Sequence, residues 1–117
     1  MKILKFFSVF LLTLLCSATM FSCKKCKDED PTARIINNGT QIASVQIKTS
    51  GGNTININNV NPATSSSYNS YAAGQVTFTI KVNTIDYVKI VDINKCYYYD
   101  IAIDANNNIT VTPFNRN

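Results

Sequence analysis

Apolar and polar positions divide this chain into one nearly continuous apolar run close to its start and a series of short alternating runs after it. Phe6 to Leu15 reads FFSVFLLTLL, with no charge. From residue 33 onward the period becomes two, the period of a strand whose successive side chains point to opposite faces. Gln75 to Val82 is the clearest case, with Val76, Phe78, Ile80 and Val82 on one side and Thr77, Thr79 and Lys81 on the other. Ile42 to Lys48 sets Ala43, Val45 and Ile47 against Ser44, Gln46 and Lys48. Thr54 to Val60 sets Ile55 and Ile57 against Asn56 and Asn58, and these two runs pair naturally as a hairpin across Ser50-Gly51-Gly52-Asn53.

The remaining segments extend the pattern. Arg34-Ile35-Ile36 predicts a first strand, stopped by Asn37-Asn38-Gly39, since Asn and Gly both tolerate positive φ. Asn61 to Gly74 is irregular, and Pro62 argues against a central strand there. Tyr68 and Tyr71 fall in this part, on a short edge strand or on a loop across the sandwich end. Ile85 to Val91 (IDYVKIV) is apolar without clean alternation, as expected of a strand covered on both sides. Cys96 to Ile103 points Tyr97, Tyr99, Ile101 and Ile103 inward and Tyr98, Asp100 and Ala102 outward. Ile109 to Thr112 closes the sheet before Pro113, and Phe114 folds back as a cap. About seven strands with turn signals between them and no helix predict a small all-β, antiparallel β-sandwich, Ig-like or transthyretin-like.

The start of the chain carries a different message. Lys2 and Lys5, the apolar run, and the step-down Ala18-Thr19-Met20-Phe21-Ser22 before Cys23 have the three-part layout of an export signal. Phe6 to Phe21 contains Ser8, Thr13, Cys16, Ser17 and Thr19 and falls short of the ~20 apolar residues of a membrane-spanning helix. Met20-Phe21-Ser22-Cys23 resembles the lipobox of a bacterial lipoprotein, with a small residue before the acceptor thiol and Met20 where Leu, Val or Ile is usual. The loosened lipobox and the following Lys24-Lys25-Cys26-Lys27-Asp28-Glu29-Asp30 resemble lipoproteins of the Bacteroidota. The resemblance implies a helical signal peptide over 1–22, cleaved before Cys23, and a diacylglyceryl and acyl (palmitate-type) modification of Cys23. It also implies an outer-membrane location with surface exposure. The domain that follows is only loosely similar to the small β-sandwich modules of cell-surface lipoproteins. The implied organisation is a signal at 1–22, a lipidated cysteine and flexible tether at 23–32, and the sandwich at 33–117.

Charge and cysteines refine this picture little. Lys2 and Lys5 belong to the signal, so the formal net charge of +4 overstates the basicity of the rest. Lys48, Lys81, Lys89 and Lys95 are scattered singly, a pattern of solvated strand edges and not a nucleic-acid surface. An exported chain permits a disulfide between Cys26 and Cys96, but Cys26 stands in a charged tether and Cys96 opens a strand, so the pairing stays open. Cys23-Lys24-Lys25-Cys26 is no zinc or redox motif, because one thiol is assigned to lipid and the chain has no histidine.

Candidate chemistry is sparse. Ser-His-Asp and Cys-His catalysis need the missing histidine. The carboxylates after the tether are Asp86, Asp92, Asp100 and Asp104, and Asp92 and Asp104 sit at turns where Asp is favoured for local geometry. Asp104-x-Asn106-x-Asn108 opens like a calcium loop, but Ile109 replaces the required Gly and Asn115 the closing Glu, which leaves an Asn-rich turn. The expectation is therefore a non-enzymatic protein with no cofactor and no metal. Tyr68, Tyr71 and Tyr98 are the candidate ligand surface, since aromatic faces stack on sugars and the chain's 15 asparagines supply amides for hydroxyls. The partners expected are the membrane, through the lipid, and a protein or glycan. The favoured role is a binding or structural module. The alternative is an accessory subunit or inhibitor that docks by an exposed edge strand on a larger envelope enzyme or glycan-uptake complex.

Overall fold

The computed structural model describes residues 26–117. The signal expected at 1–22 and the lipid acceptor expected at Cys23 lie outside the described residues. The rest is all-β, and it forms two sheets. The elements are β1 (Thr32–Asn38), β2 (Ala43–Lys48), β3 (Thr54–Val60), β4 (Thr64–Ser65), β5 (Asn69–Ser70), β6 (Gly74–Val82), β7 (Ile85–Ile93), β8 (Tyr97–Asp104) and β9 (Ile109–Asn115). One sheet runs β4-β1-β8-β9, with β5 also paired to β1; the other runs β3-β2-β6-β7. This is the small β-sandwich that the alternation predicts.

The core sits between the sheets and takes the inward residues of each. Ala33, Ile35, Tyr99, Ile101 and Ile103 come from the first sheet, and Ala43, Val45, Ile47, Val76, Phe78, Ile80 and Val82 from the second. Phe78 is fully buried, and each such large side chain contributes ~1.5–3 kcal/mol of apolar burial. The expected β2–β3 hairpin forms, with Ile47 opposite Ile55 and Val45 opposite Ile57. Asn83 and Thr84, at φ of 51° and 69°, make a two-residue hairpin with both centres left-handed, the geometry that matches strand twist. Gly74 opens β6 at φ 125°, and a Cβ there would meet the Ser50 side chain at 2.9 Å, so two turns pass closely only because this residue is glycine.

Four features depart from the sequence expectation. First, β1 and β8 pair in parallel, Arg34 opposite Asp100 and Ile35 opposite Ile101, whereas the other pairings are antiparallel. Second, β1 continues through Asn37, which is buried and not part of a solvated turn. Its amide donates to the carbonyls of Gln41 (2.7 Å) and Val60 (2.8 Å), and its Oδ1 accepts from the Gly39 N–H (2.9 Å). One side chain thus satisfies three backbone groups where β1, the β1–β2 turn and β3 converge.

Third, β7 is an edge strand and is not covered on both faces. Tyr87, Val91 and Ile93 turn toward the core, while Val88 and Ile90 are each 57% exposed. Fourth, the segment read as a free tether is bound to the domain from Cys26 onward. Cys26 and Cys96 form a disulfide that closes a sequence separation of 70. Around it the Cys96 N–H donates to the Glu29 carbonyl (2.9 Å), the Tyr71 N–H to Pro31 (3.0 Å), and Arg116 pairs with Glu29 (3.3 Å). Pro31 is fully buried.

Candidate functional site

The strand register assembles a polar and aromatic cluster on the outer face of the first sheet. Because β1 and β8 run parallel, outward Arg34 faces outward Asp100; because β8 and β9 run antiparallel, Tyr98 faces Phe114. Between β4 and β5 the chain runs alongside β1 and is stitched to it at Ile35, whose N–H donates to Ser66 Oγ (2.9 Å) and whose carbonyl accepts from the Ser66 N–H (2.8 Å). That path beside β1 brings Tyr68 to the cluster.

Arg34 grips Asp100 with two prongs, Nε to Oδ1 at 2.8 Å and Nη2 to Oδ2 at 3.2 Å. Tyr68 donates its hydroxyl to Asp100 Oδ1 at 2.6 Å, and the Arg34 guanidinium lies 4.9 Å from the centre of the Tyr68 ring. Tyr68 and Tyr98 meet at 5.6 Å in a T-shaped contact, and Tyr98 stacks on Phe114 at 4.7 Å and 12°. Each contact has favourable sign, since the ring quadrupole attracts both the cation and a neighbouring ring edge.

Electrostatics follow from this arrangement. Burial by itself pushes the Asp100 carboxyl up, but the hydrogen bonds from Arg34 and Tyr68 and the guanidinium charge outweigh it and hold the group below its ordinary value. The Tyr68 phenol is pushed up to about 12, first by desolvation and then by its bond to the Asp100 carboxylate. Asp100 is therefore a fixed anion whose oxygens are engaged by its neighbours. It positions an arginine and a tyrosine; it is not poised to move a proton.

The structure unites two of the three expected ligand-surface tyrosines. Tyr68 and Tyr98 touch, but Tyr71 does not belong with them: it is only 4% exposed, packed in the core, with its backbone held by Pro31. The irregular pattern of Asn61 to Gly74 places it on a short edge strand or a loop, yet its backbone is tied to the pinned N-terminal segment and its ring is buried. Arg34, Asp100 and Phe114 complete the cluster and were not legible as partners. A salt bridge between residues 66 apart follows from parallel pairing, which alternation cannot specify.

A second feature lies at one end of the sandwich, where the β1–β2, β6–β7 and β8–β9 turns surround a cavity of about 240 Å³. Gly39, Thr40, Asn83, Asp104 and Asn107 contribute to its wall. Asp104 Oδ1 accepts from the N–H groups of Asn106 and Asn108, each at 2.9 Å, so the Asp-x-Asn-x-Asn run spends that oxygen on holding its own turn. The third feature is the exposed apolar pair Val88 and Ile90 on the outer face of β7.

No family model and no curated protein matches the sequence. Among solved structures, the fold is similar to that of a protein from Eubacterium rectale determined by NMR, with a TM-score of 0.51 and 18% identity. The likeness covers 78% of this chain and 96% of that one, and at this identity it concerns the fold alone.

Proposed function

We propose that the chain is a lipid-anchored protein of the cell envelope, held by acylated Cys23, whose sandwich works by binding and not by catalysis. The anchor rests on the layout from Lys2 to Cys23 and its lipobox-like close. What supports a binding role is the state of Asp100: the carboxylate is locked between Arg34 and Tyr68, so the cluster presents a fixed surface of guanidinium, phenol and ring edges. Such a surface suits a polar ligand rich in hydroxyl or carboxylate groups, as a glycan is. Binding of the intact protein to an array of glycans of varied composition tests this. Saturable binding that falls at least tenfold in Tyr68→Ala supports it, and binding that is absent or unchanged in the variant counts against it.

A second reading is favoured by β7. Its outer face, where Val88 and Ile90 are each 57% exposed, is an apolar surface suited to docking on a larger envelope protein, side chain against side chain and without strand addition. Mild crosslinking in cells followed by purification distinguishes the readings. One stoichiometric protein partner that disappears in Val88→Lys/Ile90→Lys favours docking, and recovery of the chain alone favours the glycan-binding module.

A further inference from the structure

The two ends of the sandwich differ in their distance from the point of attachment. At one end lie the Cys26–Cys96 bond, the β7–β8 turn at Asn94 to Cys96, and Arg116, whose N–H donates to the Cys96 carbonyl (2.9 Å). At the other lie the three turns around the cavity, because β1 and β8 both run away from the disulfide end while β7 and β9 run back toward it. With about 3.3 Å per residue, the nine residues of β7 separate the ends by roughly 26 Å.

Cys23 precedes Cys26 by three positions. An extended chain spans at most ~3.6 Å per residue, so the Cα of Cys23, the residue that carries the acyl group, lies within about 11 Å of the Cα of Cys26, whatever path Lys24 and Lys25 take. A ten-residue free tether would permit any orientation; a three-residue leash tied at one end of the domain does not.

We infer that the disulfide makes the domain stand end-on against the bilayer, with the β7–β8 turn and the C-terminal residues at the headgroups and the three-turn cavity facing away. The partner of the disulfide end is the lipid surface itself. The cavity end is then the part presented to the surroundings. This inference rests on the acylation of Cys23 proposed above.

The chain has no tryptophan, so a single introduced one is a sole reporter. Asn117→Trp marks the disulfide end and Asn106→Trp the cavity end, both at exposed positions. The full-length lipoprotein is purified from cells, reconstituted in phosphatidylcholine vesicles doped with a dansyl-headgroup lipid, and its energy transfer measured. Vesicle flotation and intact mass report the anchor in the same samples. The expected result is co-flotation with transfer several-fold stronger from position 117 than from 106. Co-flotation with equal or reversed transfer overturns the orientation while leaving the anchor standing. Protein that neither floats nor carries acyl mass overturns the anchor and the inference together. Should Asn117→Trp fail to fold, Asn53→Trp, also exposed and in the β2–β3 turn at the disulfide end, replaces it.

Discussion

Asn37 shows how much one side chain settles in a domain this small. Its amide and carbonyl serve Gln41, Val60 and Gly39 while it is 1% exposed. Asn37→Ala leaves buried backbone groups without partners, each costing ~1–3 kcal/mol, so urea unfolding of the variant is expected to show a loss of about 3 kcal/mol. Asp100 gives a prediction in pH. Its folded value is held below its ordinary 3.8, so its contribution is complete above that pH and is lost as pH falls through the lower folded value. Stability curves measured from about pH 2 to pH 7 are expected to be flatter on the acid side in Asp100→Asn than in the parent. For Tyr68 the sign reverses: the phenol stays protonated to about 12, and its contribution fades as pH rises from 10 toward that value. Burial also pushes the Tyr71 phenol up, so ultraviolet titration is expected to show late-ionising tyrosines, of which Tyr68→Phe removes one. The residue types of this cluster were visible in the chain, and so was the outward position of Tyr98. The bond from Arg34 to Asp100 was not, because it depends on which strands are neighbours.

At the scale of elements, alternation located the strands well where one face is buried, as in β6, and misjudged β7. Ile85 to Val91 carries apolar residues on both faces, which in a parallel sheet signals burial on both sides. Here it marks an open edge. The register explains how that edge is kept from pairing with another molecule: Lys89 stands opposite buried Phe78, on the inner face, yet is exposed, so its ammonium leaves past the rim. A charge that points inward on an edge strand disfavours addition of a further strand. Lys89→Val is expected to shift the protein to dimers or larger species in light scattering after gel filtration. Lys89→Glu, which keeps a charge there, is expected to elute as the parent does. β9 manages its edge differently, with Pro113 inside the strand, a residue that strand positions tolerate only at edges or bulges.

For the molecule as a whole, the disulfide changes the meaning of the N-terminal segment. Lys27-Asp28-Glu29-Asp30 has the composition of a linker, and composition alone could not show that the Glu29 carbonyl, the Asp30 carbonyl and buried Pro31 are tied to β8, Arg116 and the core. Cross-linking a separation of 70 residues removes chain entropy worth roughly 4 kcal/mol from the unfolded state. Cys26→Ser/Cys96→Ser is expected to lose a stability of that order in urea, with the β-sheet circular dichroism retained at low denaturant. The fold class was legible because one core between two sheets imposes a period of two on nearly every strand. The staple was not, since two cysteines on distant segments say nothing about whether the topology brings them together.

Attachment through Cys23 is the claim on which location, orientation and the direction of the cavity end depend, and intact-mass analysis of the natively processed protein tests it most directly. The account predicts a product that begins at Cys23 and carries the added mass of a diacylglyceryl group with or without a further acyl chain. A product that begins at Met1, or at Cys23 with no lipid mass, contradicts it.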